Sequence, residues 1–345
     1  MNFASDNWAG ALPGVMEAVT RRNSGFAPAY GGDEATASVA GMFREIFETN
    51  LEVHFVATGT AANSLAMAAL ARPGGLVFCS SDAHIHTDEY GATESLTGMK
   101  LVPVAGRAGK IDAEGLTAAL AQYPHGGRSG PAVALTLTNA TECGTVYRPD
   151  DIARLAEIAK IREMAVHVDG ARFANAVAAT GASPAELTWK VGVDVMSFGG
   201  TKNGCLGAEA IVVFTHGLLP HLPVIRQRAG QVMSKARFVA AQFEGYFADG
   251  AWLGAARHAN EMARRLAEGI RARTSTTNGA RLAWDSEANE VFAILPRTTI
   301  QRLRQEGAVF HEWPAQGLGP SEDCVRLVTS FATSEAEIYR FVSLI

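Results

Sequence analysis

Lys202, Asp169, Arg172 and two threonines, Thr58 and Thr60, are the residues whose types and placement could do chemistry together. Asp169 ends the apolar run Ala165-Val166-His167-Val168-Asp169, and Gly170-Ala171-Arg172 follows at once. Lys202 follows a second run, Val193-Asp194-Val195-Met196-Ser197-Phe198, which breaks into Gly199-Gly200-Thr201-Lys202-Asn203-Gly204. A carboxylate beside a cationic ring nitrogen keeps that nitrogen protonated, each pKa unit being worth about 1.4 kcal/mol. A lysine amine can form an imine with a carbonyl. Together these are the minimal equipment of a site for pyridoxal phosphate (PLP), whose protonated ring is an electron sink. Taken singly, each residue has a plainer reading, an aspartate at a strand tip or a solvated lysine. Their pairing on adjoining strand ends, with glycines that let backbone approach a ligand, favours the cofactor.

The elements that must position them are legible from pattern. Both runs are continuous and apolar, as in strands of a buried parallel sheet, and ligand sites gather at the carboxyl ends of such strands. A strand from Val53 to Ala57 enters the turn Thr58-Gly59-Thr60-Ala61-Ala62-Asn63, and helix formers follow to Ala71. Free amides and the positive end of a helix dipole make that turn a phosphate seat, with a threonine N-cap as the plainer reading. It is no Walker loop. Strand Leu76 to Cys79 ends in Ser80-Ser81-Asp82-Ala83-His84-Ile85-His86-Thr87-Asp88-Glu89; a helix from Thr87 onward would put His84 and Asp88 on one face. No H-E-x-x-H pattern or completing cluster accompanies them, so no metal is expected.

Strands Leu101 to Val104, Ala132 to Leu137 and Ala210 to Phe214, with helices at Asp112 to Gln122 and from Pro149, continue a βα alternation. His125 lies in the turn-rich loop Tyr123 to Pro131, and Arg226, Arg228, Lys235 and Arg237 form a basic segment read as a solvated helix face. From Ala251 the pattern changes to a long helix and short strands. The expected fold is α/β: a large domain, 1–248, with a mostly parallel seven-stranded sheet, and a small α+β domain, 249–345. Arg326 on a strand of the small domain is a candidate anion anchor.

The 345 residues are 48% hydrophobic and 19% charged, with a net charge of −5 and no basic field, which argues against nucleic acid or a membrane surface as partner. Four scattered cysteines without a C-x-x-C pair, and an amino terminus without a signal-peptide pattern, point to a reducing cytoplasm.

In order along the chain, Phe3-Ala4-Ser5-Asp6-Asn7, Ala29-Tyr30-Gly31-Gly32-Asp33, Gly59-Thr60-Ala61-Ala62-Asn63, Ala83-His84 with Glu89, Ala140-Thr141-Glu142, His167-Val168-Asp169-Gly170-Ala171-Arg172, Gly199-Gly200-Thr201-Lys202-Asn203-Gly204 and Val325-Arg326-Leu327-Val328 resemble the PLP-dependent transferase-like (fold type I) enzymes, in particular the threonine aldolase branch of the β-eliminating lyase group. The resemblance implies that Lys202 holds PLP covalently, that Asp169 pairs with its ring nitrogen, that Thr58, Gly59 and Thr60, beside Thr201, hold the phosphate end, and that His84 stacks on the ring. Ser5, Arg172 and Arg326 would receive the substrate carboxylate. Tyr30, with Lys235 or Arg228, would enter from a neighbouring subunit, which implies a homodimer or homotetramer with shared sites.

The reaction so implied is retro-aldol cleavage of L-threonine, L-allo-threonine, phenylserine or related β-hydroxy-α-amino acids to glycine and an aldehyde. His84 and His125 are candidates for the base that takes the β-hydroxyl proton, with Asp88 or Glu89 orienting it. His125 sits in a loop longer than the resemblance leads one to expect. Elimination, transamination or racemisation would use the same lysine and aspartate. A PLP-binding protein without catalysis would need no substrate clamp.

Overall fold

In the computed structural model, residues 1–273 and 279–345 are described, and the strand-forming runs pair into two sheets. The larger contains β1 (Glu52–Val56), β2 (Leu76–Ser80), β3 (Lys100–Val104), β4 (Ala132–Thr138), β5 (Ala165–Gly170), β6 (Val195–Gly199) and β7 (Glu209–Val213). Their order is β1-β7-β6-β5-β4-β2-β3, and β7 alone runs against its neighbours. Helices cover the faces, so β2, β6 and β7 are buried at every position and are mostly apolar rather than alternating.

This topology gathers chemistry at one rim. The ends of β1, β2, β4, β5 and β6 lie together because the five strands run the same way. The reversed β7 brings its first residue, Glu209, to the same rim, opposite Gly199 on β6 and Val56 on β1. Behind β6, Phe198 packs against Phe43 at 5.2 Å, and Phe43 meets Phe243 at 5.3 Å, all three buried. Edge-to-face packing of this kind anchors the helices Glu34–Phe47 and Arg237–Phe247 on the strand that leads to Lys202. Deleting a ring such as Phe198 would cost about 3–5 kcal/mol.

Gly199, which ends β6, and Gly200 after it permit close packing within the protein. A Cβ on Gly199 would lie 2.7 Å from the Ala171 backbone, and one on Gly200 would lie 2.8 Å from the Ala208 carbonyl oxygen. They let the tips of β5, β6 and β7 close on one another.

The smaller sheet has the order β10-β11-β9-β8, all antiparallel, with β8 (Arg281–Leu282), β9 (Glu290–Pro296), β10 (His311–Glu312) and β11 (Glu322–Val328). The long helix Ala251–Arg273 serves two cores. Trp252 and Ala256 belong to that of the large sheet, Met262, Leu266 and Ile270 to that of the small one. Phe3, from the opposite end of the sequence, also packs in the smaller core. Its ring stands 5.1 Å from that of Phe341, and its backbone bonds Val309 and Val328, both at 2.8 Å. Among the described residues, no helix is long and apolar enough to cross a membrane.

Candidate active site

A cavity of about 350 Å³ opens at the common rim. Lys202 lies in its wall on the turn Thr201–Asn203, which follows β6. Among the described residues, its amine has no hydrogen-bond or ion-pair partner. Asp169, at the tip of β5, is buried and held at both oxygens: Oδ1 accepts the Ala171 N–H at 2.9 Å and Oδ2 accepts an amide hydrogen of Asn63 at 2.7 Å. The same Asn63 nitrogen donates to Glu89 Oε1 at 2.9 Å, and that oxygen also meets His84 Nδ1 at 2.9 Å. A hydrogen-bonded chain thus runs from His84 through Glu89 and Asn63 to Asp169. The bond to Glu89 raises the His84 pKa above its ordinary value despite burial, which acts the other way.

Thr58, Gly59 and Thr60 line the cavity at the start of the helix Gly59–Leu70. Thr58 accepts the Ala61 N–H at 3.1 Å, so it is an N-cap while it also faces the cavity. Below the rim, His167 is clamped between Thr136 Oγ1 at 2.7 Å and Ser197 Oγ at 3.0 Å, joining β4, β5 and β6. Burial pushes its pKa down to about 4, the Asp169 charge opposing only in part.

Two further carboxyls line the cavity. Glu209 bonds the Thr201 N–H at 3.4 Å; burial, reinforced by the Asp169 charge, pushes its pKa up to about 7 against the Thr201 bonds and the Lys202 charge. Glu142, on the loop after β4, accepts the His84 N–H at 2.7 Å and the Thr138 hydroxyl at 2.9 Å, both on Oε1, while Oε2 is buried without a partner. Burial and the Asp169 charge raise its pKa to about 7, although both bonds and Glu142's own backbone N–H oppose this. Glu142, Glu209 and Asn63 are polar cavity residues to which the sequence reading gave no role. Ala140-Thr141-Glu142 was visible as a motif, and the other signal was an acid four residues past the end of β4.

Arg172 reaches the cavity wall with its guanidinium tied to Asp6, Nε to Oδ2 at 2.7 Å and Nη2 to Oδ1 at 3.1 Å. Burial pushes the Asp6 pKa up, but the Arg172 and Lys202 charges and bonds from Arg172 and Asn289 leave it below the usual value. Glu290 on β9 is buried 3.5 Å from Arg172 and 3.9 Å from Arg326. Neither contact is a hydrogen bond, and both of its oxygens lack one. Burial raises its pKa in spite of both arginines.

Several expected site residues lie elsewhere. His125 is at the opposite end of the sheet, because its loop enters β4 at the amino end; it lines a separate cavity with Arg72 and Arg162. Asp88 is exposed and bonds Thr87, since the short helix runs His84–Thr87 and ends before it; Glu89 is the acid that meets His84. Ser5 caps the first turn by accepting the Asn7 N–H at 3.1 Å, and Asn7 rather than Ser5 lines the cavity. Arg326 stacks on Trp313 at 4.8 Å, one carboxylate away from Arg172. Tyr30, Arg228 and Lys235 are exposed outside the cavity, and the Tyr30 N–H bonds Ser234 next to Lys235.

The profile of the family described as Beta-eliminating lyase matches residues 2–289. The chain belongs to the beta-eliminating lyase family. Within it, the chain is 43% identical to the low specificity L-threonine aldolase of Pseudomonas aeruginosa, over 91% of this chain and 90% of that one. It is 40% identical to the low specificity L-threonine aldolase of Pseudomonas sp. NCIMB 10558, over 97% and 94%. The Leishmania major threonine aldolase superposes with a TM-score of 0.92 at 29% identity, covering 99% of this chain and 98% of that one. The seven-stranded, mostly parallel sheet with a second small sheet is the fold type I architecture of PLP-dependent enzymes, and this member of the family is a PLP-dependent lyase by descent.

Proposed function

We propose that the chain is a PLP-dependent aldolase that cleaves β-hydroxy-α-amino acids, L-threonine, L-allo-threonine and phenylserine among them, to glycine and an aldehyde. The observation that carries this reading is an unpartnered lysine amine, Lys202, in one cavity with the anchored carboxylate of Asp169, in a chain 40–43% identical to proteins named threonine aldolases.

The residues fit the cofactor. Lys202 would hold it covalently. Asp169, fixed by two donors, would face the ring nitrogen, and Thr58, Gly59, Thr60 and Thr201 would hold the phosphate end, where helix amides favour an anion. His84 would pack over the ring. When bound, PLP supplies an electron sink for the pair released at Cα. Everything else falls to the protein. Arg172 would receive the substrate carboxylate, with Arg326 behind Glu290 adding positive field, and so set which bond at Cα stands ready to break. The β-hydroxyl proton must pass to a group of the wall. His84 is the base that the sequence suggests, and Glu142 is seated beside it.

A second copy of the chain would complete the site. Tyr30 and Lys235 or Arg228, exposed together outside the cavity, are the residues it would lend, and exposed Trp8 and Phe26 would be covered in such an assembly. Its setting would be the cytoplasm.

The test is an absorbance spectrum with PLP, followed by product analysis. A Schiff-base band lost in Lys202→Ala, with acetaldehyde and glycine from L-threonine, is the expected result. Ammonia and a keto acid would replace cleavage by elimination. Absence of the band after PLP is added would overturn the cofactor reading.

A further inference from the structure

Given the aldolase reading, on which this rests, we infer that Glu142 is the catalytic base, taking the β-hydroxyl proton on its unpartnered Oε2. The two oxygens of this carboxyl have different situations. Oε1 is saturated by the His84 N–H at 2.7 Å and the Thr138 hydroxyl at 2.9 Å, which fixes the side chain at two points. Oε2 is buried and has no hydrogen-bond partner from another residue among those described, while Glu142's own backbone N–H favours the ionised carboxyl. An oxygen of this kind, on a residue that lines the Lys202 cavity, leaves a desolvation cost unrepaid unless something else meets it, and a substrate hydroxyl is a donor of the right kind. His84, the rival, has Nδ1 committed to Glu89, which leaves only Nε2 of its ring to take a proton.

The groups that set the titration of Glu142 come from every side. Burial raises its pKa and the Asp169 charge on β5 acts the same way, while the His84 N–H, Glu142's own N–H and the Thr138 hydroxyl oppose. Arg172, Cys79, Cys143 and Tyr147 feel its charge in turn. With a pKa near 7 the carboxyl is partly ionised at neutral pH, which suits a group that must both take and give up a proton.

The step balances within the substrate and this residue. The O–H proton moves to Oε2, the electrons of that bond become the second C–O bond of the aldehyde, and Cα–Cβ breaks. Its electron pair stays with the glycine fragment until one proton arrives at Cα. One proton leaves oxygen and one reaches carbon.

Glu142→Gln is the informative variant, because an amide oxygen can still accept from His84 and Thr138 while the titrating oxygen is gone. Its kcat for L-threonine or phenylserine should fall by about a hundredfold or more with KM nearly unchanged. The rise of kcat with pH through the neutral range should disappear. Exchange of the Cα hydrogen of glycine with solvent, which needs no β-hydroxyl base, should persist. In the cofactor-free protein, the infrared band of a protonated carboxyl that titrates near neutrality should shrink from wild type to Glu142→Gln; Glu209 accounts for what remains. The inference is overturned if Glu142→Gln keeps its kcat within about twofold, or if glycine exchange falls as far as cleavage does, which would mark a structural role. It is also overturned if the pH limb survives in Glu142→Gln but vanishes in His84→Asn. Failure of the wild-type chain to release aldehyde while it exchanges glycine would instead overturn the aldolase reading, and this inference with it.

Discussion

Arg172 and Asp6 meet through two hydrogen bonds, at 2.7 and 3.1 Å, across 166 residues of sequence. Both side chains are nearly inaccessible, with 10% and 2% exposure, so neither charge could stand alone. Asp6→Ala should therefore destabilise the fold by about 3–5 kcal/mol. Asp6→Asn, which keeps an acceptor, should cost less. Urea denaturation checks both, and a loss below about 1 kcal/mol for Asp6→Ala would show that Glu290 already balances Arg172.

Asn63 holds two carboxylates with one nitrogen. Without its amide, Glu89 and Asp169 lose a shared donor, at a cost of about 1–3 kcal/mol. If the proposed cofactor site is right, Asn63→Ala should weaken PLP binding by roughly ten- to a hundredfold, since 1.4 kcal/mol is one decade. A cofactor titration followed by absorbance measures it. Unchanged affinity would remove Asn63 from the support of Asp169.

His167 should make the fold acid-sensitive. Its pKa is depressed to about 4 in the folded protein against an ordinary 6.5, so below 6.5 the unfolded chain takes up a proton that the folded chain refuses. Stability is then full above about pH 6.5 and falls as pH drops toward 4, by about 3 kcal/mol in all. Denaturation midpoints across that range should fall less steeply for His167→Gln than for the wild type. Parallel slopes would mean that other groups carry the acid sensitivity.

His125→Ala should leave kcat and KM unchanged and alter stability by no more than about 0.5 kcal/mol, because the side chain is exposed at the amino end of β4. A tenfold loss of kcat would require a second copy of the chain to bring His125 to the cavity.

The sheet was legible because strands covered on both faces are mostly apolar runs, as β2, β4, β5 and β6 are, with few polar residues. The rim positions of Asp169, Lys202 and Thr58 followed, since strand direction decides which end of a run a residue occupies. The same rule puts His125 at the wrong end, for its loop precedes a strand, whereas Glu142 follows one. The partners of Arg172 and Arg326 were hidden for another reason. Asp6, Glu290 and Trp313 come from segments far apart in sequence, and nothing local in an acid or an aromatic announces which distant arginine it will meet. Asn63 was similarly hidden, because a polar residue early in a helix reads as a surface position until its burial is known.

Phe3 and Asp6 are three residues apart, yet one is wedged in the core of the small sheet and the other grips Arg172 beside the cavity. Three residues pulled straight span only about 10 Å, so this link holds little slack. It works as a drawbar. A rotation of the small sheet against the large one would be transmitted along it to the guanidinium that faces the cavity, so that opening or closing the molecule and aiming its substrate-facing charge become a single movement.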